Sequence, residues 1–166
     1  MSRKKTLLAL AAVSFALLPF GNAAFASDIK IMPSSACQPI DQFNAVKIKY
    51  ENGAILNKDA AQLASIVCPF VKDNPQGIGQ TFSAVVEVQA TPGRQVFCTL
   101  TNRSRSGTAF FPVASGGGGT NGPGFIALNL KAANSFNSYF DLTCTLPPGG
   151  KVFSYRTFEP SPTDAE

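Results

Sequence analysis

The chain of 166 residues contains no histidine and no tryptophan, and only 14% of it is charged. Each shortage removes a class of chemistry. Without histidine there is no Ser-His or Cys-His nucleophile pair and no imidazole ligand for a metal. Cysteine is confined to Cys37, Cys68, Cys98 and Cys144, spaced 31, 30 and 46 residues apart. A zinc site draws on close cysteine pairs or on histidine, so neither spacing nor composition fits one. Beyond residue 5 no two basic residues are adjacent. The footprint of a nucleic-acid or anionic-membrane binder is therefore missing. The glycine run 116–119 is not followed by Gly-Lys-Ser/Thr, so it is no phosphate loop, and no alternating Asp/Asn calcium loop occurs. No cofactor is expected.

The N-terminus is different in kind from the rest. Arg3, Lys4 and Lys5 precede an apolar run from Thr6 to Phe20, and Ala24-Phe25-Ala26 puts small residues at both positions a signal peptidase reads. The run is shorter than the roughly 20 residues needed to span a bilayer. Residues 1–26 therefore read as a cleaved, bacterial-style signal peptide, with secretion or a periplasmic location to follow. The expected mature chain has 11 basic and 10 acidic residues, net +1, with no membrane span. In an exported chain an even cysteine count reads as two disulfides. Three connectivities are open. Cys98–Cys144 with Cys37–Cys68 is preferred, because Cys-Thr-Leu stands at the centre of both 95–101 and 141–147.

Strand signals fill the remainder. Val46, Ile48 and Tyr50 alternate with Lys47 and Lys49, and Asn52-Gly53 is a strong two-residue turn signal, so 45–57 is predicted to be a hairpin. Helical character is limited to 57–63, where Asn57 or Asp59 would cap one turn. Ser65–Cys68 resumes strand character, and 73–79 reads as a loop. Ala84, Val86, Val88 and Ala90 form one apolar row; Thr91-Pro92-Gly93 follows as a turn, predicting a second hairpin over 83–101. Pro112 restricts 108–114 to an edge or broken strand. Residues 115–124 read as a flexible glycine-rich loop. Strands are predicted at 125–130, 138–146 and 152–158. The pattern is all-β: an antiparallel two-sheet β-sandwich of about eight or nine short strands with two disulfides, a small β-barrel being the alternative. Residues 27–36 read as a leader, 37–158 as the sandwich domain and 159–166 as a disordered tail.

Phe97 and Tyr139 fall on the face opposite the cysteines, and Phe110 and Tyr155 are candidates to join them. An exposed aromatic strip is a ligand surface. The leading expectation is a non-enzymatic exported domain with a binding, structural or envelope role; its partner would be a glycan, a peptide or an envelope protein. The sharper form is a carbohydrate- or peptide-binding module using Phe97, Tyr139, Phe110 and Tyr155. An inhibitor of a secreted hydrolase presenting 115–124 is a third reading. The fourth is a small hydrolase, which would need two carboxyls such as Glu87 and Asp141 within about 5–10 Å of each other. Asn102-Arg103-Ser104 matches a glycosylation sequon. N-terminal sequencing of the exported protein should begin at Ser27; a product that retains the 6–20 run would remove the signal-peptide reading.

Overall fold

The computed structural model describes residues 28–70, 81–104, 109–131 and 138–159. The predicted signal peptide, the loop at 73–79 and the tail beyond Glu159 lie outside the described residues. Two antiparallel sheets pack face to face. The six-stranded sheet contains β1 (Asp28–Pro33), β3 (Ile48–Glu51), β4 (Ala54–Asn57), β6 (Thr81–Gln89), β9 (Pro123–Lys131) and β11 (Lys151–Glu159). Its order is β3-β4-β11-β6-β9, with β1 also pairing β11. The five-stranded sheet runs β2-β5-β10-β7-β8, from β2 (Gln38–Pro39), β5 (Ala64–Phe70), β7 (Val96–Ser104), β8 (Ala109–Gly118) and β10 (Ser138–Leu146). Helix is limited to a 3-10 turn at Ser34–Ala36 and α1 (Gln42–Ala45).

The period-two rows dictate the layers, because successive strand residues point to opposite faces. Phe82, Ala84, Val86 and Val88 of β6 face Leu100, Leu142, Phe140 and the cysteines across the sheet gap, and all are buried. Phe82 and Phe140 pack with ring centroids 4.5 Å apart, and Phe70 lies 5.3 Å from Phe140. Cys98 stands directly opposite Cys144 in the β7–β10 register, and the two are bonded; Cys37 is bonded to Cys68.

Several local expectations changed. The 45–57 hairpin is present, trimmed to 48–57. The predicted hairpin over 83–101 is not: β6 and β7 belong to different sheets, and Thr91-Pro92-Gly93 turns the chain from one sheet to the other. Each strand finds its apolar partners elsewhere, β6 on β11 and β9, β7 on β10 and β8. The predicted leader contains β1, which pairs with β11 from Asp28↔Glu159 to Pro33↔Ser154. Glu159, expected to open the tail, ends β11 with its side chain buried and 3.3 Å from Lys30 Nζ. The helical turn forms at Gln42–Ala45, where the Asn44 amide donates to Asp41 Oδ1 at the N-cap. At 57–63 the Asp59 carboxylate instead accepts from the Ala61 and Gln62 amides, closing a turn without helix. These bonds hold the exposed Asp41 and Asp59 carboxyls below their usual pKa.

Of the predicted loop 115–124, residues 115–118 are strand and the turn is confined to 119–122. β8 includes Gly116–Gly118, paired with β7, and passes so close to β9 that a Cβ on Gly118 would sit 2.9 Å from Ile126 Cγ1. Gly119 has φ +78 and leaves no room above Gln89, which only glycine accommodates there. Pro112 lies where β8 carries three residues against one of β7, between the Leu100↔Ala114 and Asn102↔Phe110 pairs, and β8 is an edge strand. Opening the β7–β10 staple with Cys98→Ala/Cys144→Ala should lower stability by about 4 kcal/mol in the chain-entropy account of its loop. Urea unfolding checks this; a variant whose midpoint matches the oxidised parent would show that the strands hold themselves.

Candidate functional site

The outer face of the five-stranded sheet carries the predicted aromatics. Phe97 is 46% exposed and Tyr139 44%. They share a face because each stands an odd number of positions from an inward cysteine, Cys98 and Cys144. They do not touch. Phe97 pairs with Thr145, and Tyr139 with Arg103. Six residues of strand separate the two rungs, about 20 Å at the usual rise per residue.

The surface between them is mostly hydroxyl. Thr99 and buried Thr101 of β7 and Thr143 and Asp141 of β10 occupy the intervening outward positions, Thr145 stands at the Phe97 rung, and Ser65 and Val67 of β5 and Ser115 of β8 lie beside them. Thr99 Oγ1 lies 3.1 Å from Ser115 Oγ, and Ser65 Oγ lies 3.4 Å from Thr145 Oγ1. Charge enters at the Tyr139 end. Arg103 Nε donates to Asp141 Oδ1 at 3.0 Å, on side chains that are 34% and 15% exposed. The pair orients a fork of donors and a carboxylate acceptor beside the phenol ring. An aromatic plate, a fixed ion pair and a row of hydroxyls together present an apolar face beside hydrogen-bond donors and acceptors.

Tyr155 does not join this surface. It is fully buried between the sheets, with its hydroxyl donating to the Pro69 carbonyl at 2.7 Å. It stands on β11 of the other sheet and so reaches this face in neither phase; its burial follows from a β-bulge between Val152 and Ser154. Strict alternation from inward Val152 would turn Tyr155 outward; the extra residue, Phe153, reverses that phase. Burial pushes the Tyr155 phenol up to about 12. The Phe110 backbone pairs with Asn102 on edge strand β8, and its side chain lies outside the described residues. Glu87 and Asp141 are on the outer faces of opposite sheets, where Glu87 accepts from Ser154 Oγ and Asp141 pairs with Arg103, so they share no cleft. Asn102 is only 1% exposed and points into the sandwich, which removes the sequon as an acceptor.

Among the described residues no group of three or more His, Cys, Asp or Glu is placed to hold a metal, and no helix is long and apolar enough to cross a membrane. No family model matches the chain, and no curated protein matches its sequence. Its fold does match solved structures. The C-terminal family 6 carbohydrate-binding module of a marine laminarinase from Zobellia galactanivorans superposes with a TM-score of 0.52 at 8% identity, over 80% of this chain and all of that one. A family 35 carbohydrate-binding module from Clostridium thermocellum gives 0.47 at 10% identity, over 80% and 99%. A low-affinity xylan-binding module from Roseburia intestinalis gives 0.46 at 11% identity, over 80% and 95%. At such identities the likeness is one of fold: this chain is a β-sandwich of the kind found in carbohydrate-binding modules.

Exposed apolar residues also lie outside the strip. Phe43 on α1 is 81% exposed and Phe125 on β9 66%. Phe125 was legible as an outward position before Ile126; Phe43 sits in a stretch with no period to read. The buried phenol makes a checkable pH dependence. Tyr155 ionises near pH 12 when folded and near 10 when unfolded, so its stabilising effect is complete below about pH 10 and is lost as pH rises toward about 12. Tyr155→Phe should cost about 1 kcal/mol at neutral pH through its lost hydrogen bond, and the gap should close in that alkaline window. A gap that stays constant through the window would disprove this.

Proposed function

We propose that this chain is an exported, non-catalytic glycan-binding module that seats a polysaccharide on the outer face of its five-stranded sheet. The observation that carries this reading is the pairing of half-exposed Tyr139 with the Arg103–Asp141 ion pair. A sugar ring has an apolar C–H face and a rim of hydroxyls that both donate and accept. Tyr139 suits the first, Arg103 and Asp141 the second, and Phe97 offers another plate farther along the same face. The sandwich fold shared with carbohydrate-binding modules is consistent with this use, although fold alone assigns no ligand.

Export rests on the N-terminal segment with a cut after Ala26, and the two disulfides fit an oxidising compartment, periplasmic or extracellular. The strip has little net charge, since Arg103 and Asp141 offset each other and their outward neighbours on β5, β7 and β10, such as Val67, Pro69, Thr99 and Thr143, are uncharged. A neutral glycan therefore suits it better than a sulfated or polyuronate chain.

Affinity electrophoresis in neutral polysaccharides should retard the protein. Tyr139→Ala and Phe97→Ala should each weaken binding by about tenfold, roughly 1.4 kcal/mol, with unchanged melting temperature because both rings are outside the core. Retardation that survives the double variant would place any glycan elsewhere; no retardation in any polysaccharide would end the reading.

A further inference from the structure

The six-stranded sheet carries a cavity on its own outer face, on the far side of the sandwich from Tyr139. Its volume is about 170 Å³, and it is lined by Glu51, Asn52, Ala54, Leu56, Lys151 and Phe153. The cavity exists because β11 changes partner here. Val152 pairs with Ile55 of β4, and Ser154 pairs with Pro33 of β1. Two short strands share one edge of β11, and their seam falls at Phe153. The bulge at Phe153 occupies the same place, so this ring has no rung partner on β6. Bulges re-aim side chains in this way.

The rim is held by the β3–β4 turn. Asn52 (φ 49) and Gly53 (φ +76) both occupy the left-handed region that an Asn-Gly hairpin turn requires. Ser34 Oγ donates to the Gly53 carbonyl at 2.9 Å, tying the turn across the seam to the end of β1. Glu51 also pairs with exposed Lys49, whose ammonium lies 3.2 Å from Glu51 Oε2.

The lining divides by chemistry. Phe153, Leu56 and Ala54 supply an apolar wall. Lys151 supplies an ammonium donor, Glu51 a carboxylate acceptor, and Asn52 both a donor and an acceptor. A small ring with one apolar face and a rim of hydroxyls satisfies all of them at once. At about 170 Å³ the space is below the 300–1,000 Å³ of drug-sized pockets, so it admits one ring and not a chain. Lys151 and Glu51 offset each other within the lining, so the site carries little net charge and suits a neutral ring better than one with its own carboxylate.

From this lining we infer a second binding site, specific for a single neutral sugar unit, either a free monosaccharide or the terminal unit of a chain. It is independent of the strip around Tyr139. With both sites loaded, the module would hold two glycans on opposite faces and cross-link them.

Titration of the isotope-labelled protein with glucose, galactose, mannose and xylose, and separately with glucuronate and galacturonate, tests the site by NMR. At least one neutral sugar, at up to tens of millimolar, should shift the amide signals of Glu51, Asn52, Leu56 and Lys151. Asn52→Gly preserves the turn, because glycine accepts its φ, and should weaken that response several-fold; Lys151→Gln should do the same with the fold unchanged. Absence of these shifts with every neutral sugar overturns the site, as does a response to uronates alone. Shifts confined to Arg103, Tyr139 and Asp141 also overturn it while leaving the polysaccharide strip standing. Conversely, shifts at the cavity in Tyr139→Ala would establish this site even where the strip fails.

Discussion

The disulfide between Cys98 and Cys144 ties two directly opposed residues at the centre of the five-stranded sheet, and so pins the register of β7 against β10. A slip of one residue in either strand would carry its whole apolar row to solvent and bring its outward row inside. Phe97, Thr99 and Arg103 on one strand, and Tyr139, Asp141 and Thr143 on the other, keep their outward places only while that register holds. The outward face is thus a consequence of the inward one. Polar groups sit on it because the apolar alternates, with Phe70 and Phe140 among them, are committed to the core.

On the other sheet the governing constraint is a crowded strand edge. β11 pairs β6 along one side and shares its other side between β4 and β1. The bulge in the β11–β6 pairing falls at Phe153, the same residue at which β4 gives way to β1 on the opposite edge. One extra residue has two effects at once. It turns Tyr155 into the core, and it leaves Phe153 at the seam where the cavity opens. The loops at the far end are stitched by buried Asn57, whose Nδ2 donates to the Gln62 and Leu146 carbonyls while its backbone exchanges bonds with Gly149 and Gly150.

Fold class was readable because alternation is a local property. Ala84, Val86 and Val88, or Ile126, Leu128 and Leu130, announce a half-buried strand whatever its partners, and the run of such segments without a helical period points to two sheets. Partnership was less readable. The turn at Thr91-Pro92-Gly93 has the same chemistry whether it closes a hairpin or carries the chain between sheets. Glycines 116–118 read as a loop because nothing local reveals the side chain of Ile126 pressing against them. Of the candidate site, the outward direction of Phe97 and Tyr139 was legible from their cysteine neighbours; their separation along the strands was not.

The sequence by itself determined the all-β class, the scarcity of catalytic groups and the faces of the regular strands. These follow from residue type and a period of two, which act within a few positions of chain. Only the tertiary structure decided that β1 completes a sheet, that Tyr155 is buried, that Glu87 and Asp141 lie on opposite faces, and that a cavity opens beside Lys151 and Phe153. Each of those depends on which strand lies alongside which, and pairing between distant segments is set by the packing of the whole core.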